Sequence, residues 1–509
     1  MKQEFLQKIQ KIFLFLIILF LPFTNLPKSI TISFIGSNAV YYVLFISLSL
    51  FIYEYCKYKF QIDRTILYFF VVYSFFQIIS LLHGLIIYPY YDLLDVDQIQ
   101  KLQYINDKLN IQIDKNIMIG VYLFFRDTKN ILLNSAYFCF IPLLFMHLFE
   151  TNYEKCFSLI EKAVIILVCL LGLYSIPEII YLNFNVSFAR KILETINPFL
   201  YDVASCYGWW PPLLWGYVDG QLRSICPEPS YFCIIAVFCI PFFINKLYKK
   251  FSVTYILIFI YFILMLLMSK SRTGLTIFIM EIFMLFLLCI NKFNKRILFF
   301  VIIVLSCLSL AMFINLNLSN KIKKQKNTET VMSYIDTNII SALKTDTRSN
   351  RNRMSNVIAM LKVGLEQPVL GVGKGLKDAY IINNIPSIAN ENVEFNLWAQ
   401  NFNEKGLKST FPSLNQYACV FAENGIIGII VFILPIIYIF YKILLNRKKL
   451  NNFYFAIAFI TFIGQLFAMM ADMFFITYPI SLGLIYFYLK CIDSREINGQ
   501  KSINNNTGI

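Results

Sequence analysis

Residues 252–290 read SVTYILIFIYFILMLLMSKSRTGLTIFIMEIFMLFLLCI. Two apolar stretches, each close to the 20 or so residues that a helix needs to cross a bilayer, are joined by Ser269-Lys270-Ser271-Arg272-Thr273-Gly274 alone. So short a link makes the pair a hairpin of two spans with its turn at a membrane surface. Arg272 then sits at the helix ends, where a charge is costly unless it is paired or wet.

The same length rule, carried outward, finds apolar runs near 12–34, 38–56, 64–88, 130–149, 162–182 and 229–245 before this pair, which itself covers 252–269 and 274–290. Runs near 297–317, 418–441, 453–470 and 473–490 follow it. The expected fold is an all-α polytopic membrane protein of about 12 transmembrane helices, with a large external loop between the ninth and the tenth. Composition agrees, because the 509 residues are 58% hydrophobic and only 15% charged, against about 25% charged in a soluble chain. The net charge of +15 has a natural destination in cytoplasmic loops and gives no reason to invoke nucleic acid. Twelve cysteines lie mostly inside apolar runs and form no CxxC, which indicates neither a zinc module nor a disulfide framework; Cys206 and Cys226 are the one plausible external pair. The first run reads as a span and not as a cleaved signal, since a small-residue cleavage site is missing and a second apolar run follows almost at once.

With the N-terminus in the cytoplasm, Lys57 and Lys59, then Lys246, Lys249 and Lys250, then Lys292, Lys295 and Arg296, then Lys442, Arg447, Lys448 and Lys449 all fall on the same side. That is the positive-inside pattern, and it places both termini in the cytoplasm. The chain divides into residues 1–317 with nine spans and outer loops 89–129 and 183–228, an external and partly helical segment 318–417, three further spans in 418–490, and a cytoplasmic polar tail 491–509. No inverted repeat of the transporter kind is visible.

Charged residues on the external side are the candidates for chemistry. Residues 347–353 read TRSNRNR and lead into a helix with Met354, Val357, Ile358, Leu361 and Leu365 as its expected apolar face, capped by Asp346 or Thr347. Arg348, Arg351 and Arg353 at its edge suit an anionic diphosphate, because a guanidinium binds two oxygens at once and stays charged; the plainer reading is a solvated charge run. Gly371, Gly373 and Gly375 after Pro368 read as a tight turn in preference to a phosphate loop, for no Lys-Ser/Thr pair follows. Arg223 and Glu228 enter the sixth span, with Glu228 rigid between Pro227 and Pro229. A carboxylate there can take a proton from a sugar hydroxyl, and Arg223 can pair with phosphate or with Glu228. Arg272 is either part of the same site or a snorkelling anchor. Trp209, Trp210 and Trp215 offer faces for sugar stacking, although an interfacial aromatic belt explains them more simply. Glu178, Glu281 and Asp472 lie in or beside spans and are site candidates or helix-pairing residues, while His83 and His147 both lie within apolar spans, leaving no histidine for an external metal site.

Four pieces of this constellation together resemble the O-antigen polymerase and ligase superfamily: Pro227-Glu228-Pro229-Ser230, Ser271-Arg272-Thr273-Gly274, Arg353 through Gly364 to Pro368 with Gly371-Val-Gly373, and Glu423-Asn-Gly425-Ile-Ile-Gly428. The resemblance implies a GT-C-like membrane glycosyltransferase without metal or other cofactor, acting at the outer face of a bacterial inner membrane. Its donor and acceptor would be undecaprenyl diphosphate-linked glycans, held in membrane lipid. Arg223, Arg272, Arg351 and Arg353 would hold the diphosphate and stabilise its departing charge, with Glu228 as base, and a flippase and a chain-length regulator would be neighbours. Ligases of this kind carry a His-Asn-x-Tyr-like element where this chain has Leu414-Asn415-Gln416-Tyr417, so the resemblance favours a polymerase. Ligation to lipid A core or protein, and flipping of the lipid-linked unit, are the rival expectations.

Overall fold

The structure is a computed structural model that describes residues 3–506 apart from 33–34, 95–113, 203–219, 291–294, 323–329, 344–347, 390–391, 406–410, 448–451 and 474–475. It is helical throughout, and each of the twelve apolar runs is occupied by a helix: α1 (Gln3–Leu19), α2 (Ala39–Tyr58), α3 (Arg64–Ile87), α4 (Lys115–Phe149), α5 (Tyr153–Phe184), α7 (Pro229–Lys249), α8 (Val253–Met268), α9 (Arg272–Ile290), α10 (Lys295–Ile322), α15 (Gln416–Asn446), α16 (Phe453–Ala468) and α17 (Thr477–Asn506). Six of these, α2, α3, α4, α5, α7 and α15, are by length and composition apolar enough to cross a membrane, and α8, α16 and residues 302–318 of α10 are shorter apolar helices. The chain is a polytopic membrane protein.

Several boundaries differ from expectation, among them the end of α17 at Asn506 in place of 490, and for two the neighbouring residues give the physical reason. The first helix covers Gln3–Leu19 and not 12–34; Pro22 follows close on its end, and Gln10 exchanges hydrogen bonds with Ser47 that pair α1 with α2. The fourth begins at Lys115, far ahead of 130, under an Asp114 cap that accepts from two backbone amides. Its early turns have a core of their own: Ile119, Leu123 and Ile131, at helical spacing, are fully buried in a second apolar cluster with α15 and with the helices Arg348–Glu366 and Lys377–Asn383. The main cluster holds the other half of α4 together with α1, α2, α5, α7, α8, α9, α16 and α17.

Between α10 and α15 lie α11 (Val331–Asn338), α12 (Arg348–Glu366), α13 (Lys377–Asn383) and α14 (Val393–Lys405), so this segment is partly helical. A further helix, α6 (Ser187–Leu200), packs on α5. The face of α12 expected to be buried is turned outward, with Met354, Leu361 and Leu365 between 41% and 68% exposed. Inside are Asn352, Ser355, Asn356, Ala359, Met360 and Val363. The polar members find partners: Asn352 donates to Glu394, and Asn356 donates to the Pro412 carbonyl and accepts from the Leu414 amide. Buried asparagines are tolerated when satisfied in this way, which apolar periodicity alone does not reveal.

The glycine turn and the Glu423-Asn-Gly425 motif are halves of one device. Gly425 has φ 65° and ψ −164°, which interrupts α15 and removes the bonds that Ile426 and Ile427 would make to Ala422 and Glu423. Residues 368–373 replace both: the Pro368 and Val369 carbonyls accept from Ile426 and Ile427, while Val372 and Gly373 donate to the carbonyls of Ala422 and Glu423. A buried break in a helix requires such repair, since unpaired buried backbone groups are costly. Lys374 closes the clasp on Glu423 at 2.5 Å. Burial opposes the charge on Lys374, but the Glu423 carboxylate overrides it and holds the ammonium well above its usual range. The glycine turn is thus a turn whose amides bind carbonyls of its own chain.

Candidate active site

Glu228 is the residue before α7, with Pro229 in the first helical position, where a missing amide costs nothing. The loop that delivers it is rigid. Glu178 of α5 accepts from the backbone amides of Arg223 and Ser224, each at 2.9 Å, and the Ser224 hydroxyl donates to the Leu171 carbonyl. Arg223 is 3% exposed; its guanidinium lies 4.9 Å from the Tyr201 ring centre and donates to the Tyr201 hydroxyl and the Pro227 carbonyl. These surroundings tie Arg223 to the loop.

Arg272 opens α9, and the turn before it is packed tightly onto α7. At Gly274 a Cβ would come within 2.3 Å of the Cys233 Cβ, and Ser269 hydrogen bonds both Cys233 and the Leu266 carbonyl. Arg353 comes from the first turns of α12. The two arginines are cross-tied: Arg272 donates to Asn350 at 3.2 Å, three residues before Arg353, and Arg353 donates to Thr273, next to Arg272, at 2.8 Å. A second bond of 2.8 Å joins Arg353 to the Ala471 carbonyl beside Asp472. The guanidinium groups repel each other. Two half-buried like charges held this close can receive an anion of more than one charge.

Burial and the charge of nearby Asp472 push the Glu228 carboxyl up to about 7, although Ser230, donating at 3.1 Å, and Arg353 pull it down. Asp472, 4% exposed, is raised as well by its burial, against the pull of Arg353 and of the Met473 amide at 2.8 Å. Glu394 of α14 adds a third negative charge felt by Glu228. The result is a pair of guanidinium groups, one of which, Arg353, acts on a carboxyl able to exchange a proton near neutral pH.

Glu228, Arg272 and Arg353 therefore meet, with Asp472 joining them. Arg351 is half-buried on the same helix as Arg353. Arg348 begins α12, but its side chain, like Trp209, Trp210, Trp215, Cys206, Asp346 and Thr347, lies outside the described residues. Cys226 is buried in the main core. Glu281 is buried deep between α9 and α16, and His147 bonds Glu54 at 2.6 Å. Glu394 had no motif to mark it; Asn350 stood within the TRSNRNR run and Thr273 within the Ser-Arg-Thr-Gly turn, but only the cross-tie reveals their use. Leu414, at the position where ligases carry histidine, is bonded through its amide to Asn356, one turn along α12 from Arg353.

No curated protein matches the chain. Residues 257–433 match the family described as O-antigen ligase, a segment that contains Arg272, Arg353, the glycine turn and Glu423 while Glu228 and Asp472 lie outside it. This match, on a polytopic helical chain, supports the O-antigen polymerase and ligase superfamily, whose members imply a membrane enzyme of the glycosyltransferase kind acting on lipid-linked glycans.

Proposed function

We propose that the protein polymerises lipid-linked oligosaccharide repeat units at the outer face of a bacterial inner membrane. The observation that carries this reading is the meeting of Arg272, Arg353, Glu228 and Asp472, from four separate parts of the chain, at one end of the bundle. The donor is a glycan on undecaprenyl diphosphate. The acceptor hydroxyl oxygen attacks the anomeric carbon, the bond from that carbon to the diphosphate oxygen breaks with inversion, and the hydroxyl proton passes to Glu228. Arg272 and Arg353 take up the charge that grows on the leaving diphosphate, the electrostatic part of the catalysis. Paired guanidinium groups make a divalent ion unnecessary in this scheme.

Ligation of finished glycan is the second reading, favoured by the description of the matching family. Leu414 argues against it, since a carbon side chain cannot replace a histidine that moves a proton. The test is purified protein in lipid, supplied with the lipid-linked repeat unit alone and EDTA, with products resolved by size. A ladder of lipid-linked oligomers is expected. Transfer only after a core oligosaccharide or protein acceptor is added would replace polymerase by ligase, and no transfer to any acceptor would overturn both.

A further inference from the structure

At the end of the bundle away from Glu228, α1 and α5 flank an open groove of about 430 Å³ lined by Lys11, Ile12, Phe15, Lys155, Ser158, Leu159 and Lys162. Three ammonium groups thus surround an apolar floor, and no carboxylate is among the lining residues. Nor is this an internal void. Lys155 and Lys162 are exposed, Ile12 is 58% exposed, and the Lys11 ammonium lies 5.6 Å from the Phe149 ring centre.

The helix geometry gives the groove a direction. Lys155, Leu159, Lys162, Ile166, Leu170 and Leu173 follow one another at three- and four-residue steps along one face of α5. Ile166, Leu170 and Leu173 are 44%, 40% and 65% exposed. The stripe is therefore cationic at its start and purely apolar for the next two turns and more. Glu178, which holds the Arg223 loop at the other end, is 23 residues beyond Lys155, or roughly 35 Å of helix, about one bilayer thickness. The lysines accordingly lie at one membrane surface and the stripe runs into the hydrocarbon.

We propose that this groove is a binding site for an anionic phospholipid, its headgroup phosphate among Lys11, Lys155, Lys162 and the Ser158 hydroxyl and its acyl chains along Leu159, Ile166 and Leu170. A zwitterionic lipid would leave the three ammonium groups uncompensated, and a free phosphate would leave the apolar stripe unused. The site is independent of the polymerase reading and lies on the opposite membrane surface.

The experiment is native mass spectrometry of the full chain released from nanodiscs of equal phosphatidylglycerol and phosphatidylethanolamine. The wild type is expected to retain phosphatidylglycerol selectively, and the retention to weaken with salt. Replacing all three lysines, as Lys11→Gln, Lys155→Gln and Lys162→Gln, is expected to lower its apparent affinity by roughly a hundredfold, while Lys57→Gln with Lys59→Gln leaves it in place. Equal retention of both lipids, unchanged retention in the triple variant, or displacement by millimolar inorganic phosphate would overturn the proposal. The wild-type preference and its salt dependence decide the matter even where the triple variant fails to fold.

Discussion

The four sequence elements that resemble one superfamily separate, in three dimensions, into two kinds of place. The glycine turn and the Glu423-Asn-Gly425 break consume each other: four backbone bonds and the Lys374–Glu423 pair leave their amides and charges engaged with the chain itself. At the other place, Arg272 and Arg353 are kept side by side against their repulsion, next to carboxyls raised by burial. Saturated polar groups build; like charges held close to one another favour the arrival of an anion. Similar-looking motifs thus carry different duties, and Arg223, an arginine by name like the others, falls with the builders.

The contrast can be broken most sharply at the arginines. Arg353→Ala, or Arg272→Ala, is expected to lower the rate of oligomer formation by roughly a hundredfold to a thousandfold while the protein still inserts and melts as the wild type does. Full activity in both variants would remove the site. Next in size is the clasp, where Gly425→Ala would place a Cβ within 2.4 Å of the Val369 carbonyl oxygen at a φ of 65°. A loss of about 3 kcal/mol in unfolding free energy is expected, read from melting in detergent, and wild-type stability would mean that the break is not held as described.

Glu228 sharpens the comparison through pH. A base must be deprotonated to act, so with its carboxyl at about 7 the turnover of the wild type should climb through neutrality, by about tenfold from pH 6 to pH 8. Glu228→Gln should lower the rate and flatten that rise; a variant that keeps the same rise would assign the titration to another group. The smallest effect belongs to Arg223→Lys, which gives up the stacking on Tyr201. About 1 kcal/mol of stability should go, with turnover per folded molecule nearly unchanged. A large drop in turnover at full stability would move Arg223 among the acting residues.

Hydropathy alone located the six helices long and apolar enough to cross a membrane, because the demand for about 20 apolar residues per crossing is local and needs no knowledge of neighbours. It also marked Arg272 as a charge in a place where charge is expensive. The outward face of α12 was misread because buried Asn352 and Asn356 are paid for by partners more than forty residues away. The early start of α4 escaped for a related reason: polar Lys129 and Arg126-Asp127 interrupt the hydropathy, while Ile119 and Leu123 find their core only when α12 and α13 arrive.

What the amino-acid order by itself determined is thus a membrane protein of many spans, the places where charge meets the bilayer surface, and the glycine and proline punctuation. What only the tertiary structure decided is which of those charges meet. Thr273 and Arg353 are 80 residues apart, and Arg353 and Ala471 118, yet one guanidinium binds both. Local patterns report how each segment meets its solvent, whether lipid or water. The pairing of distant polar groups depends on how the packed helices align them, and the breaking and repair of α15 shows how far the chain goes to set that alignment.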